Sequence, residues 1–124
     1  MKIEVALGEI SQLPEADLRG YRTTLDAILD FPDSINSRGY DSIFATAKKF
    51  LHMDEGDDKI FGLGMVERSE QIHGPDVSDI AYLAIHLGET NPSLRDQVRH
   101  LVNRLSDHAT DEARTRIHEF ISAG

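Results

Sequence analysis

Residues 76–88 read Asp-Val-Ser-Asp-Ile-Ala-Tyr-Leu-Ala-Ile-His-Leu-Gly, and their spacing decides the fold class. Val77, Ile80, Ala81, Leu83, Ala84 and Leu87 recur at helical intervals and make a broad apolar face. Asp76 reads as the N-cap and Gly88 as the stop. An apolar arc this wide calls for packing on more than one side, so the segment is predicted to be the most buried helix of the chain.

The same signals extend in both directions. Downstream, Asn91-Pro92 reads as a cap followed by a proline at the first helical position, ahead of Leu94, Val98, Leu101, Val102 and Leu105. Thr110 caps a last helix with Asp111 and Glu112 in its first turn and Ile117, Phe120 and Ile121 inside. Upstream, Pro14, Glu15 and Asp17 open a helix carrying Leu18, Tyr21, Leu25, Ile28 and Leu29, which Pro32 ends near Asp30. Residues 33–40 read as a connector in which Gly39 takes a left-handed conformation. Asp41 or Ser42 then caps a helix bearing Ile43, Phe44, Ala47, Phe50 and Leu51.

Residues 59–72 are ambiguous. Phe61, Leu63 and Met65 alternate as a strand would, yet Phe61, Met65, Arg68 and Ile72 fit a helix, and Gly62 and Gly64 weaken both readings. Ile3, Val5 and Leu7 also alternate, so a short β ribbon joining residues 1–7 to 59–66 is the second reading beside helix. The expected fold is mainly all-α: a compact array or bundle of five to six short helices in a single domain, 1–124. Ile43, Ile80 and Ile117 lie 37 residues apart, an echo that raises stacked helical repeats as the alternative to a plain bundle.

Composition narrows the chemistry. The 124 residues carry 13 Lys+Arg against 22 Asp+Glu, a net charge of −9, and no cysteine. Disulfides, thiolate metal sites and cysteine nucleophiles are therefore excluded. The acidic excess argues against binding nucleic acid, which needs a basic patch. The apolar run Ile80 to Ile85 is far shorter than the roughly 20 residues that span a bilayer, and Met1 to Val5 lacks the apolar middle of a signal peptide, so no membrane partner and a cytoplasmic location are expected.

Motifs for catalysis and cofactors fail on inspection. A calcium loop begun at Asp57 places Gly62 correctly but puts Lys59, Phe61 and Arg68 at ligand positions. None of the six histidines stands four residues from another, and His108 with Asp111 and Glu112 would need His52 or His73 brought in by the fold to hold a metal. There is no Gly-x-Ser-x-Gly, no Ser-x-x-Lys, and Gly62-x-Gly64 lacks the rest of a phosphate loop. An enzyme, a metal and a cofactor are accordingly not expected. After position 60 every basic residue is arginine, and Arg95, Arg99 and the Glu112/Arg116 pair read as intramolecular ion pairs.

What remains is charge. Asp54, Glu55, Asp57 and Asp58 put four carboxylates in five residues. They read either as a solvated capping turn or as a contact surface for a basic protein, supported by Asp30 and Asp33 if the helix ends meet. Small size, acidity and helical build are shared with immunity and antitoxin proteins that cover the basic cleft of a toxin domain such as a nuclease, an analogy of charge and shape with no residue motif behind it. The alternative is a helical adaptor or regulatory subunit that takes a partner peptide in a groove between helices.

Overall fold

Ile3, Leu7 and Ile10 stand four and three residues apart, and residues Ile3–Ser11 form the first helix, α1, which buries Leu7 and Ile10. The computed structural model describes residues 2–123, and every regular element among them is helical. This overturns the β ribbon. Residues 59–66 lie within the helix α5 (Gly56–Arg68), and Val5, which a strand would have turned inward with Ile3 and Leu7, is 48% exposed. Both periods were present in the sequence; the helical one prevails because it lets Leu7 and Ile10 bury against other helices. Met1, at the start of the expected ribbon, lies outside the described residues, as does Gly124.

Helix α2 (Glu15–Leu18) starts directly after Pro14, where the extended φ/ψ of the proline leads into a first turn carrying Glu15 and Asp17. A tighter 3-10 turn at Arg19–Tyr21, around Gly20, separates it from α3 (Arg22–Leu29), so the expected single helix is two. With α1 added, the division is finer than five to six helices.

The connector is also shorter than expected. Helix α4 (Ser37–His52) is capped by Asn36, whose side-chain oxygen accepts from the Gly39 amide at 2.9 Å. Gly39 is therefore helical, Asp41 and Ser42 lie inside the helix, and the positive φ belongs to Gly74, at 98°.

Helix α6 (Val77–Thr90) continues past Gly88 and ends where the Asn91 side-chain amide donates to the Leu87 carbonyl at 3.0 Å. Asn91 thus closes α6 instead of capping α7 (Arg95–Leu105), which follows a 3-10 turn at Pro92–Leu94. A helical glycine costs about 1 kcal/mol relative to alanine. Here it permits close packing: a Cβ on Gly88 would stand 3.0 Å from Phe120 Cζ and 3.1 Å from Val98 Cβ. Asp76 precedes α6 but directs its carboxylate to Lys48 Nζ at 3.3 Å, not to a backbone amide. Thr110 does cap α8 (Asp111–Ala123), its hydroxyl accepting from the Ala113 amide at 3.2 Å.

The helices form two layers. In one, α1, α4, α6 and α8 lie side by side in that order; in the other, α3 packs on α5, and side chains of α7 reach α5. Hairpins α4/α5 and α6/α7 join the layers. Ile43, Ile80 and Ile117, the residues of the 37-residue echo, are fully buried on α4, α6 and α8, three neighbours of one layer. One apolar cluster runs through the whole stack from Leu7 to Phe120. The tightest crossing is α4 on α5, where Gly62 lets the backbones approach and Phe50 meets Phe61 edge-on at 4.8 Å between ring centroids. No helix among the described residues is long and apolar enough to cross a membrane.

Candidate functional site

Helix α4 ends at His52, Met53 turns extended and buries its side chain, and α5 begins after Glu55. That corner carries the acidic run. Asp57 and Asp58 occupy the first turn of α5, where carboxylates favour the positive end of the helix dipole. The four acids then divide. Asp58 is only 3% exposed and is held by Arg19 Nε at 2.7 Å and Arg22 Nη1 at 3.4 Å. It fastens the α2–α3 turn to α5 and is withdrawn from any partner, a correction to its reading as a contact residue. Asp54, Glu55 and Asp57 are exposed and make no ion pair among the described residues.

Asp30 and Asp33 do not join them. Asp30 is exposed but bound to Arg68 Nη2 at 2.6 Å, and Arg68 also grips Asp26 at 2.7 Å. Arg68 is the last residue of α5 and Asp58 lies in its first turn, so the two groups are separated by ten helical residues, about 15 Å along the axis. Asp33 stays exposed in the Pro32–Ser34 turn. Burial of the Tyr40 ring, then the carboxylates of Glu70 and Asp33, push the Tyr40 phenol above its ordinary range, against a backbone hydrogen bond at Glu70 that lowers it. The helix ends that would have joined Asp30 and Asp33 to the acidic corner do not meet.

The cations explain why the negative charge faces outward. Lys49 Nζ donates to the Leu13 carbonyl at 3.1 Å, beyond the end of α1, and Lys59 Nζ to the Leu51 carbonyl at 3.1 Å, in the last turn of α4. Arg104 donates to the Glu67 and Ser69 carbonyls at the end of α5, Arg114 to Ser106, and Arg99 to Ile121 near the end of α8. Most of these carbonyls lie in or just past the last turn of a helix, where the helix itself supplies no donor; the Ser106 carbonyl also accepts from the Ala109 amide at 3.3 Å. Arg95 lies over the Phe120 ring at 5.1 Å from its centroid. Arg95 and Arg99 are thus answered by a ring and a carbonyl, not chiefly by acids of a neighbouring helix. Arg116 pairs with Glu89 at 2.8 Å instead of the expected Glu112.

Beside the acidic corner lies a groove of about 290 Å³. Its floor is Leu51, Leu83, Leu87 and Leu94; Ile60 stands at its edge, 46% exposed, and Asp54, His86 and Thr90 line its rim. Two shallower depressions flank α6: one, on the α4 side, adjoins the groove through Leu83 and reaches His52, and the other, on the α8 side, lies between Tyr82 and Glu112. Tyr82 is 37% exposed, and its phenol is pushed above the ordinary range by burial and by Glu112 and Asp79, with Arg116 opposing.

The sequence reading missed this groove because Leu83 was assigned to the buried face of α6. The available signal was the width of that face: residues 80–85 are apolar all round, more than one buried side of a helix accommodates. Among the described residues no group of three or more His, Asp or Glu is placed to hold a metal ion. No family model, curated protein or solved structure matches the chain.

Proposed function

We propose that the chain works as a single-domain, protein-binding inhibitor in the cytoplasm, of the immunity or antitoxin type, and neutralises a toxin domain by covering its basic cleft. The observation that carries this reading is the exposure of Asp54, Glu55 and Asp57 without ion-pair partners, while nearby Lys49 and Lys59 donate to helix carbonyls and Arg19 and Arg22 hold Asp58. An outward electronegative corner steers association with a cationic cleft and competes there with phosphate groups. Such an inhibitor acts by occupying the cleft, without catalysis, a cofactor, nucleic acid or a membrane.

The test is direct. A partner is captured from the native cell, and binding is measured against a variant with Asp54, Glu55 and Asp57 changed to lysine. Association is expected to slow by about tenfold or more at low salt and to lose most of its salt dependence. Unchanged binding with unchanged salt dependence overturns the role of the corner. The second reading, a helical adaptor, is favoured by the apolar groove beside it; an adaptor would keep binding its partner after the charge reversal and lose it when the groove is blocked.

A further inference from the structure

Helix α6, expected to be the most buried, shares that place with α4; it packs with α4 on one flank, α8 on the other and α7 behind. It nevertheless leaves one stripe open. Asp79, Tyr82, Leu83, His86 and Thr90 follow one another at intervals of three, one, three and four, on the side opposite buried Ile80, Ala84 and Gly88. The stripe is about 16 Å long at 1.5 Å per residue, three turns of helix. At its C-terminal end it runs into the groove floored by Leu51 and Leu87 and edged by Ile60.

From this arrangement we infer that the α6 stripe and its groove dock an amphipathic helix of a second protein, with apolar residues at three- and four-residue spacing flanked by lysine or arginine. The inference rests on the second, adaptor reading, in which a groove between helices takes a partner peptide, and names the chemistry of that peptide. Shape favours a helix: the groove lies between α6 and the α4–α5 corner, and shallow depressions flank the stripe on its α4 and α8 sides. Charge sets its sign. The cations along the stripe are engaged within the chain, Lys48 with Asp76 and Asp79, Lys59 with a carbonyl and Arg116 with Glu89. Asp54 at one end, and Glu112 and Glu119 on the α8 side, have no ion-pair partner among the described residues. A second copy of the chain would bring the same carboxylates face to face, so self-association is disfavoured.

The probe is a synthetic 14-residue helix of leucine and lysine in amphipathic order, about four turns, compared with a scrambled peptide of identical composition. Amide shifts of the full chain are followed by NMR during titration. The ordered peptide is expected to bind saturably, to move the amides of Ile60, Leu83 and His86, and to bind about tenfold more tightly than the scrambled one. Ile60→Glu and Tyr82→Ala, both at exposed positions, are each expected to weaken it by about tenfold. Glu55→Lys with Asp57→Lys is expected to reduce only the salt-dependent part. Equal binding of both peptides, or shifts confined to residues 55–57, overturns the docking site while leaving the acidic corner as a contact. A dimer in sedimentation that buries Ile60 and Tyr82 also overturns it. Loss of captured-partner binding in the Glu55/Asp57 variant, with Ile60→Glu and Tyr82→Ala unaffected, overturns the docking site and leaves the inhibitor reading standing.

Discussion

Gly62 and Gly64 stand two residues apart on α5, yet replacing each by alanine is predicted to have opposite effects. Alanine gains about 1 kcal/mol over glycine within a helix. At Gly64 nothing lies within 4 Å of a new Cβ, so that gain stands nearly alone and stability should rise by about 0.5 to 1 kcal/mol. At Gly62 the Cβ would stand 2.9 Å from the Ala47 carbonyl oxygen, 2.9 Å from Phe50 Cβ and 3.2 Å from Leu51 Cγ. Two of these neighbours are backbone or anchored next to it, on a helix packed on both sides, so relief requires α4 and α5 to separate. Overpacking of this kind costs about 1 to 3 kcal/mol, and the loosened Phe50–Phe61 contact adds about 0.5 to 1.5 kcal/mol. Subtracting the propensity gain leaves a net loss of about 0.5 to 3.5 kcal/mol. Urea unfolding followed by far-ultraviolet circular dichroism measures both variants, and for a chain of this size each kcal/mol moves the thermal midpoint by about 3 to 6 °C. A Gly62→Ala protein as stable as Gly64→Ala would refute the close α4–α5 approach on which the groove and the acidic corner depend.

Other consequences follow from the ion pairs and the titrating groups. Asp58→Asn is expected to destabilise by about 1.5 to 3 kcal/mol, since it removes a charged acceptor that is buried and doubly bonded, whereas Asp57→Asn at the exposed neighbour should stay within about 0.5 kcal/mol; chemical denaturation of the pair distinguishes them. Arg104→Met should cost about 1 to 2 kcal/mol by leaving the Glu67 and Ser69 carbonyls without their donor, and the loss should show first as faster amide exchange at the end of α5. At alkaline pH the signs agree. The Lys48 amine is raised above 10.5, first by its hydrogen bond to Asp79, and the Tyr40 phenol is raised above 10.0, first by burial. Raised folded values mean that these contributions are intact below the unfolded values and are lost as pH climbs through the folded ones. Urea midpoints should therefore fall above pH 10, less steeply in Tyr40→Phe, and phenolate absorbance should show Tyr40 and Tyr82 ionising later than an unperturbed tyrosine; a flat profile in that window would contradict the assigned environments.

Helical spacing, proline position and composition were enough to foresee a mainly helical chain, the start of α2, the Thr110 cap, the burial of Ile43, Ile80 and Ile117, and the excess of negative charge. These depend on neighbours within a turn or two, which the order of residues displays directly. Where two local answers existed, the sequence could not choose. Residues 3–7 and 59–66 satisfy both a strand and a helix period, which burial against other helices settled, and the cap expected at Asp41 or Ser42 is made by Asn36, through its bond to Gly39. The candidate site was legible only as a run of acids. That Asp58 is buried depends on Arg19 and Arg22, 39 and 36 residues away, and that Asp30 lies at the far end of α5 depends on Arg68, 38 residues away. The outward stripe of α6 likewise exists only because α4, α7 and α8 cover its other sides. Periodicity tells which residues share a face; which face stays open is decided by partners distant in the chain, through packing and charge pairing that no local pattern records.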